Sequence, residues 1–96
     1  MRYQMVITQV AERDLRKLPR KVRCEFFDIH LLRIADAPRE VGTPLRGEFR
    51  GYWSYHFGRR PEYQVIYSIE EEIVTVTVFL VGSRENVYAR LRRRLF

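Results

Sequence analysis

The sequence predicts an α+β domain in which three consecutive antiparallel strands follow a pair of helices. The first half of the chain carries apolar residues at helical spacing, and the second half carries three strand-like segments separated by short polar turns. Strands joined by tight turns are antiparallel neighbours. The predicted order of elements is therefore β-α-α-β-β-β-α, an antiparallel sheet with a helical hairpin on one face.

Length, charge and composition restrict the function. The 96 residues fit one domain, residues 1–96, and 18 Lys and Arg against 12 Asp and Glu give a net charge of +6. This basic excess favours a polyanionic partner, although an ordinary solvated helix face is the alternative interpretation. No leader-like or bilayer-length apolar run is visible, so we expect a cytoplasmic protein without a membrane partner.

Residue types needed for several other functions are missing from the sequence. Cys24 is the single cysteine, which excludes an intramolecular disulfide, and the two histidines lack metal-ligand spacing. No P-loop, dinucleotide-binding or nucleophile-elbow pattern is present. We therefore expect no metal and no cofactor, and we interpret Cys24 as a small core or edge residue.

The N-terminal elements are a strand and a short helix. Residues 3–8 alternate and predict a strand, and Thr8 is expected to cap the following helix. Its apolar stripe consists of Ala11, Leu15 and Leu18, and Pro19 ends it.

A second helix is predicted from about Arg20 to Ala35, and residues 36–44 are expected to form a loop. The apolar face of this second helix is predicted to contain Cys24, Phe27, Leu31 and Ile34, and Phe26 and Ile29 are expected to widen it. His30 lies at the margin of this face, and we interpret it as a partly buried structural residue.

Three strands are predicted at residues 52–57, 63–69 and 73–81. Alternation places one set under the helical hairpin: Trp53, Tyr55, Tyr63, Val65 and Tyr67. The opposite face is expected to be open at Ser54, His56 and Gln64, next to Arg84. In the third strand, one face is predicted to carry Val74, Val76, Val78 and Leu80.

The tail is predicted to be a helix with its arginines outside. Its apolar stripe consists of Val87, Leu91 and Leu95. We favour core packing for this stripe over coverage by a partner.

A basic open face suits RNA cleavage without a metal ion. That reaction needs a group that deprotonates the 2′-hydroxyl, a cation that neutralises the phosphorane and an acid that protonates the leaving oxygen. The residues that could converge are Arg84, His56, Arg50 and Tyr88. We interpret Ser54 and His56 as two polar residues on a solvated strand face rather than as a hydrolase pair.

Four segments in a fixed order carry a resemblance to a known family. They are Arg13-Asp14-Leu15-Arg16-Lys17-Leu18-Pro19, Pro44-Leu45-Arg46-Gly47, Tyr63-Gln64-Val65-Ile66-Tyr67 before an acidic turn, and Val81-Gly82-Ser83-Arg84 before Val87-Tyr88. With them, nearly the whole chain resembles the RelE/ParE superfamily of bacterial toxins, and the RelE-like branch is favoured. The resemblance implies a RelE-like, microbial RNase-type fold and cleavage of mRNA in the ribosomal A site. It also implies a cognate RelB-like antitoxin that is partly disordered when free.

The resemblance also implies roles for individual residues. Arg84 and Tyr88 match the family's basic residue and tyrosine, whereas Gln64 stands where the RelE branch has an arginine, and Ser54 and His56 replace two lysines. The expected catalytic residues are Arg84, Tyr88 and His56. The expected RNA- and phosphate-binding residues are Arg46, Arg50, Arg59, Arg60, Gln64 and Ser54.

Two other functions stay open at this point. The neutral residues Gln64 and Ser54 favour a ParE-like toxin that inhibits DNA gyrase without cleaving RNA. The charge alone is also compatible with a nucleic-acid-binding relative that is not toxic.

Overall fold

The computed structural model describes residues 2–96, which form five strands, five α-helices and two short helical turns. The strands are β1 (Gln4–Ile7), β2 (Thr43–Pro44), β3 (Tyr52–Phe57), β4 (Tyr63–Glu70) and β5 (Thr75–Ser83). The helices are α1 (Gln9–Lys17), α2 (Arg20–Glu25), α3 (Leu31–Asp36), α4 (Pro38–Val41) and α5 (Val87–Leu95). A π-helical turn (Phe26–His30) joins α2 to α3, and a 3₁₀ turn (Gly47–Phe49) precedes β3.

The strands form one sheet in the order β1-β5-β4-β3-β2. β3, β4 and β5 pair antiparallel, as predicted, and β2 adds antiparallel to β3. β1 instead pairs parallel with β5, at the edge of the sheet opposite β2. The predicted α+β class is confirmed, with the parallel edge strand β1 as an addition. The prediction of a loop over residues 36–44 is wrong, because α4 and β2 lie within it.

The predicted start of α1 is confirmed in atomic detail. Thr8 is the N-cap, and its hydroxyl oxygen accepts a hydrogen bond from the Ala11 amide at 3.1 Å. Ala11 and Leu15 are buried against the sheet. α1 ends at Lys17, just before Pro19.

One core lies between the helices and the sheet face predicted to face them. Its buried members include Tyr55, Val65 and Tyr67 from the strands and Phe26 and Ile34 from the helices. Tyr67 is fully buried, and its hydroxyl donates to the Pro38 carbonyl at 2.6 Å. Burial raises the pKa of the Tyr67 hydroxyl, so this group stays a donor.

The buried stripe of the second helix differs from the prediction. Cys24 is exposed, and Phe27 and Ile29 are 41% and 45% exposed, whereas His30 is buried together with Phe26, whose place on the apolar face was predicted. Residues 22, 26, 30 and 34 recur every four positions, and the wide π-helical turn keeps that spacing on one side. The structural interpretation of His30 is confirmed, since its ring nitrogens contact the Tyr55 hydroxyl at 2.6 Å and Glu25 at 2.8 Å.

The prediction of an open second face is wrong, because α5 covers it. A second core cluster forms there from Phe49, Ile66, Leu80, Val87 and Leu91. This confirms that the apolar stripe of the tail packs in the core.

A β-bulge changes the faces of β5. Ile66 pairs with Leu80 and Tyr67 pairs with Val78, so Phe79 is an extra residue in β5. Val76 and Val78 therefore face the helical hairpin, whereas Leu80 faces α5, and the single face predicted for this strand is wrong. β5 also starts at Thr75 because Val74 belongs to the preceding turn, with φ of 48°.

An ion cluster holds α5 against the sheet and α1. Asp14 is 4% exposed, and its carboxylate accepts from Arg90 at 3.0 Å and from both Arg94 guanidinium nitrogens at 2.7 Å. It also accepts from the amide of Val81, a β5 residue that has no partner in β1, at 3.0 Å. Arg94 in addition donates to the Phe79 carbonyl at the bulge. The prediction that the tail arginines lie outside is therefore wrong for Arg90 and Arg94.

None of the helices within residues 2–96 is long and apolar enough to cross a membrane.

Candidate functional site

A row of polar side chains lies where β3 and β4 meet the start of α5. His56 pairs with Gln64 across the two strands, and Ser54 lies on the same face of β3, two residues away. The Ser54 hydroxyl oxygen is 3.1 Å from His56 Nε2 and 2.5 Å from Gln64 Nε2. Strand register therefore converts three separate sequence positions into one contact chain.

α5 adds Tyr88 to this row. Gln64 Nε2 donates to the Tyr88 hydroxyl oxygen at 3.0 Å, and the Tyr88 ring stacks on Phe49 with centroids 5.9 Å apart. Tyr88 is 44% exposed. The side chain is thus held at its ring by Phe49 and at its hydroxyl by Gln64, while the residue stays partly exposed.

Hydrogen-bond directions in the row follow from the amide of Gln64. Both hydrogens of Gln64 Nε2 are donated, one to Ser54 and one to Tyr88. Ser54 can then donate its own hydrogen to His56 Nε2, which leaves the imidazole proton on Nδ1. Tyr88 likewise keeps its own hydrogen for an external acceptor.

Arg84 and Glu62 complete the row at its other end. Glu62 Oε1 is 3.1 Å from Arg84 Nη1 and 3.8 Å from His56 Nδ1. The backbone also joins these two residues, because the Arg84 amide donates to the Glu62 carbonyl at 2.9 Å. The Arg84 side chain is 73% exposed, so its guanidinium is accessible to an anion.

The burial of Ser54 and Gln64 corrects one sequence prediction. They are 2% and 1% exposed, so they do not lie on an open face, and in this structure neither side chain presents surface to a phosphate group. Among the described residues, Gln64 Oε1 is buried without a hydrogen-bond partner. The His56 side chain, by contrast, is 40% exposed.

The remaining predicted phosphate-binding arginines surround the row without joining it. Arg46 and Arg50 are exposed on either side of the turn that carries Phe49, the residue stacked on Tyr88. Arg59 and Arg60 are exposed in the turn between β3 and β4. Their backbone positions make these four side chains cations at the margin of the site.

The tail contributes less free positive charge than its sequence indicates. Arg90 and Arg94 are paired with Asp14, and Arg92 donates twice to Glu48 at 2.7 Å. These hydrogen bonds lower the pKa of the Glu48 carboxyl and raise the pKa of the Arg92 guanidinium. Within the described chain, no three His, Cys, Asp or Glu side chains are grouped so that they could hold a metal ion.

Sequence reasoning missed Glu62 and Phe49. Glu62 immediately precedes β4, and Tyr63 pairs with Ser83, so an acid at position 62 lies next to residue 84 once the register is known. Phe49 precedes the sheet in a polar stretch, and only the docking of α5 gives its ring a partner. Neither contact has a signal in local periodicity.

The comparisons with known proteins agree on one family. Residues 5–92 match the model for the ParE-like toxin of type II bacterial toxin–antitoxin systems. The toxin RelG of Mycobacterium tuberculosis is 34% identical over 90 residues, which is 94% of this chain and 100% of RelG.

Solved structures show the same fold. The toxin–antitoxin complex RelBE2 of Mycobacterium tuberculosis contains a chain with a TM-score of 0.80 and 32% identity, and the match covers 88% of this chain and 100% of that one. A mutant of the E. coli toxin RelE in the free state has a TM-score of 0.76 at 26% identity, with full coverage of both chains.

Proposed function

Because the chain belongs to the ParE-like toxin family of type II bacterial toxin–antitoxin systems, we propose that it is an mRNA endonuclease that acts at the ribosome. Its similarity to toxins named RelG and RelE supports the RelE-type activity. The observation that carries the proposal is the continuous row from Arg84 to Tyr88, in which an accessible cation and two proton-transfer groups share one end of the sheet.

In the proposed reaction, the 2′-oxygen of one nucleotide attacks its own 3′-phosphate. The bond between phosphorus and the 5′-oxygen breaks, which leaves a 2′,3′-cyclic phosphate and a free 5′-hydroxyl. His56 Nε2 takes the proton of the 2′-hydroxyl after that hydroxyl displaces the Ser54 hydroxyl from the ring. Tyr88 donates its proton to the leaving 5′-oxygen, and Arg84 neutralises the charge on phosphorus.

Gln64 acts in this mechanism as a positioning residue. Its Nε2 hydrogen reaches the Tyr88 hydroxyl oxygen, so the phenol hydrogen points away from the protein toward substrate. The same hydrogen bond stabilises the phenolate that forms once Tyr88 has donated its proton. This gives the neutral, buried Gln64 a role that does not require contact with phosphate.

The marginal arginines extend the surface available to RNA. Arg46, Arg50, Arg59 and Arg60 are exposed, and we propose that they bind phosphates on either side of the scissile bond. Because Arg presents a planar fork of donors, each can hold a phosphate in a bidentate fashion.

The test is primer extension on a defined mRNA in a purified translation system. Wild-type protein should cut at A-site codons, and Arg84→Ala should abolish the cuts. Arg93→Ala is the matched control, since Arg93 is an exposed arginine of α5. Tyr88→Phe keeps the ring on Phe49 and removes the acid, so cleavage should slow by about 10²–10⁴-fold. No cuts by the wild type would overturn the proposal.

Gyrase inhibition is the second candidate. The matching family model is described as ParE-like, and two polar positions of the sheet, Ser54 and Gln64, carry no charge. A supercoiling assay decides between the two: inhibition of gyrase together with intact mRNA would establish this candidate, and unaffected supercoiling at excess protein would remove it.

We also propose an antitoxin as the physiological partner. The similar chain from Mycobacterium tuberculosis was solved in a toxin–antitoxin complex. The net charge of +6 fits an acidic partner chain that orders on binding. Co-expression with the polypeptide encoded next to this gene should yield a stable complex that does not cut mRNA. Failure of the two chains to co-purify at low salt would contradict the proposal.

A further inference from the structure

Glu62 lies between the two groups that carry positive charge in the proposed reaction. One oxygen, Oε1, faces both Arg84 Nη1 at 3.1 Å and His56 Nδ1 at 3.8 Å. The side chain is 36% exposed, and its backbone is fixed separately by the hydrogen bond from the Arg84 amide. The carboxylate can therefore be altered without removing the contact that holds the chain at this point.

The contact with His56 orients the ring. When the Ser54 hydroxyl donates to Nε2, the proton of a neutral His56 ring is on Nδ1, the nitrogen that faces Glu62. At 3.8 Å the pair is within ion-pair range but longer than a hydrogen bond. The imidazolium that forms when His56 takes the proton of the 2′-hydroxyl would therefore have this carboxylate beside it.

Glu62 pairs with the guanidinium of Arg84, the cation that the proposed reaction needs for the scissile phosphate. Among residues 2–96, Glu62 is the acid paired with Arg84, and the guanidinium is otherwise exposed. A phosphodiester offers a second anionic acceptor that suits the guanidinium fork. A bound phosphodiester would therefore compete with the carboxylate of Glu62 for Arg84.

We propose that Glu62 is a positioning residue of this site. It holds the Arg84 guanidinium beside His56 in the free protein, and it stabilises the imidazolium of His56 after the scissile phosphodiester has replaced it at Arg84. The same carboxylate thus contacts Arg84 before the substrate binds and stabilises His56 afterwards. This inference rests on the proposed RNA cleavage and adds a residue to it.

The charged groups around His56 define what the test must separate. Glu62 faces the ring from the turn before β4, Arg84 lies behind Glu62 at the end of β5, and Tyr88 is reached from α5 through Ser54 and Gln64. Only Glu62 is an anion in this group. Replacing it by glutamine removes the negative charge and keeps the shape.

The experiment compares Glu62→Gln with the wild type and with Glu85→Gln, which removes an exposed acid next to Arg84. Single-turnover cleavage rates are measured in the translation system with the toxin in excess, so that the maximal rate is read separately from binding. In Glu62→Gln the maximal rate should fall, because the imidazolium that forms on His56 loses the carboxylate that faces it. Glu85→Gln should match the wild type.

A binding measurement tests the Arg84 half without chemistry. The probe is a short RNA with a 2′-deoxy substitution at the scissile position, bound to ribosomes or free, and its affinity is read by fluorescence anisotropy. Because Glu62 no longer competes for Arg84, Glu62→Gln should bind about two- to fivefold more tightly. Glu85→Gln sets the change expected from net charge alone.

The outcomes separate this inference from the proposed function. If the wild type cuts mRNA and Glu62→Gln has the maximal rate and affinity of Glu85→Gln, Glu62 has no positioning role and the ribonuclease proposal stands. If the wild type does not cut, the ribonuclease proposal fails, and with it the His56 half of this inference.

Discussion

Replacing Asp14 by asparagine tests what holds α5 in place. The carboxylate is 4% exposed and accepts four hydrogen bonds, three of them from Arg90 and Arg94 and one from the Val81 amide. Asparagine keeps the shape but replaces one acceptor oxygen by an NH₂ donor. Two half-buried arginines would then face a neutral group.

The magnitude follows from the contacts that are lost. Oδ2 accepts from the Val81 amide and from Arg94 Nη1, and an amide nitrogen at that position opposes both donors. Each lost hydrogen bond that involves a charge is worth about 1.5–3 kcal/mol. Removing one partner of a buried ion pair costs about 3–5 kcal/mol in total, so we expect that loss in the free energy of unfolding.

The assay is urea unfolding, with the midpoint read at an unchanged slope. Arg93→Met is the matched control because Arg93 is exposed on α5, and it should change the free energy of unfolding by less than about 0.5 kcal/mol. The loss in the free energy of unfolding for Arg94→Met should lie between those of Asp14→Asn and Arg93→Met, since Arg90 still neutralises Asp14. An Asp14→Asn protein as stable as Arg93→Met would refute the view that this ion cluster anchors α5.

Other substitutions test separate contacts. Gly42→Ala places a methyl group 1.9 Å from the Tyr67 hydroxyl oxygen, so it should destabilise the protein by about 2–4 kcal/mol in the same assay, and an effect below about 1 kcal/mol would contradict this. Thr8→Ala removes the cap of α1 and should cost about 1 kcal/mol, whereas Thr8→Ser should restore it. Arg92 lowers the pKa of Glu48, so this pair stabilises the protein above the ordinary value of 4.5 and the effect is lost as the pH falls further. The difference in urea midpoint between wild type and Glu48→Gln should therefore shrink below that pH, and a difference independent of pH would contradict the pairing.

The family was predictable because its signals are local. Each motif lies within or at the end of a single helix or strand: the helix that ends before Pro19, the strand that begins at Tyr63 and the segment that ends at Arg84. The order of these motifs can be read directly from the sequence. The matched family model over residues 5–92 confirms that prediction. Side-chain alternation likewise placed Tyr55, Val65 and Tyr67 correctly, because a strand imposes a period of two wherever its ladder is regular.

Predictions failed where the ladder or the helix was irregular. The bulge at Phe79 moves Leu80 to the other face of β5, and the π-helical turn buries His30 and leaves Phe27 exposed. Each irregularity inserts one residue into the regular period of the strand or helix, and no pattern in the sequence indicates it. The partner strand and the opposing helix decide whether it forms.

By itself, the sequence determined the element types, the family and the identity of Arg84, His56 and Tyr88 as candidate residues. Only the tertiary structure showed that Gln64 is buried beneath Tyr88 and that Glu62 faces both Arg84 and His56. The physical reason is the distance along the chain over which each kind of contact acts. Periodicity records which side of its own element a residue takes, whereas hydrogen bonds and ion pairs between elements depend on register and docking, which are fixed by contacts made far apart along the chain.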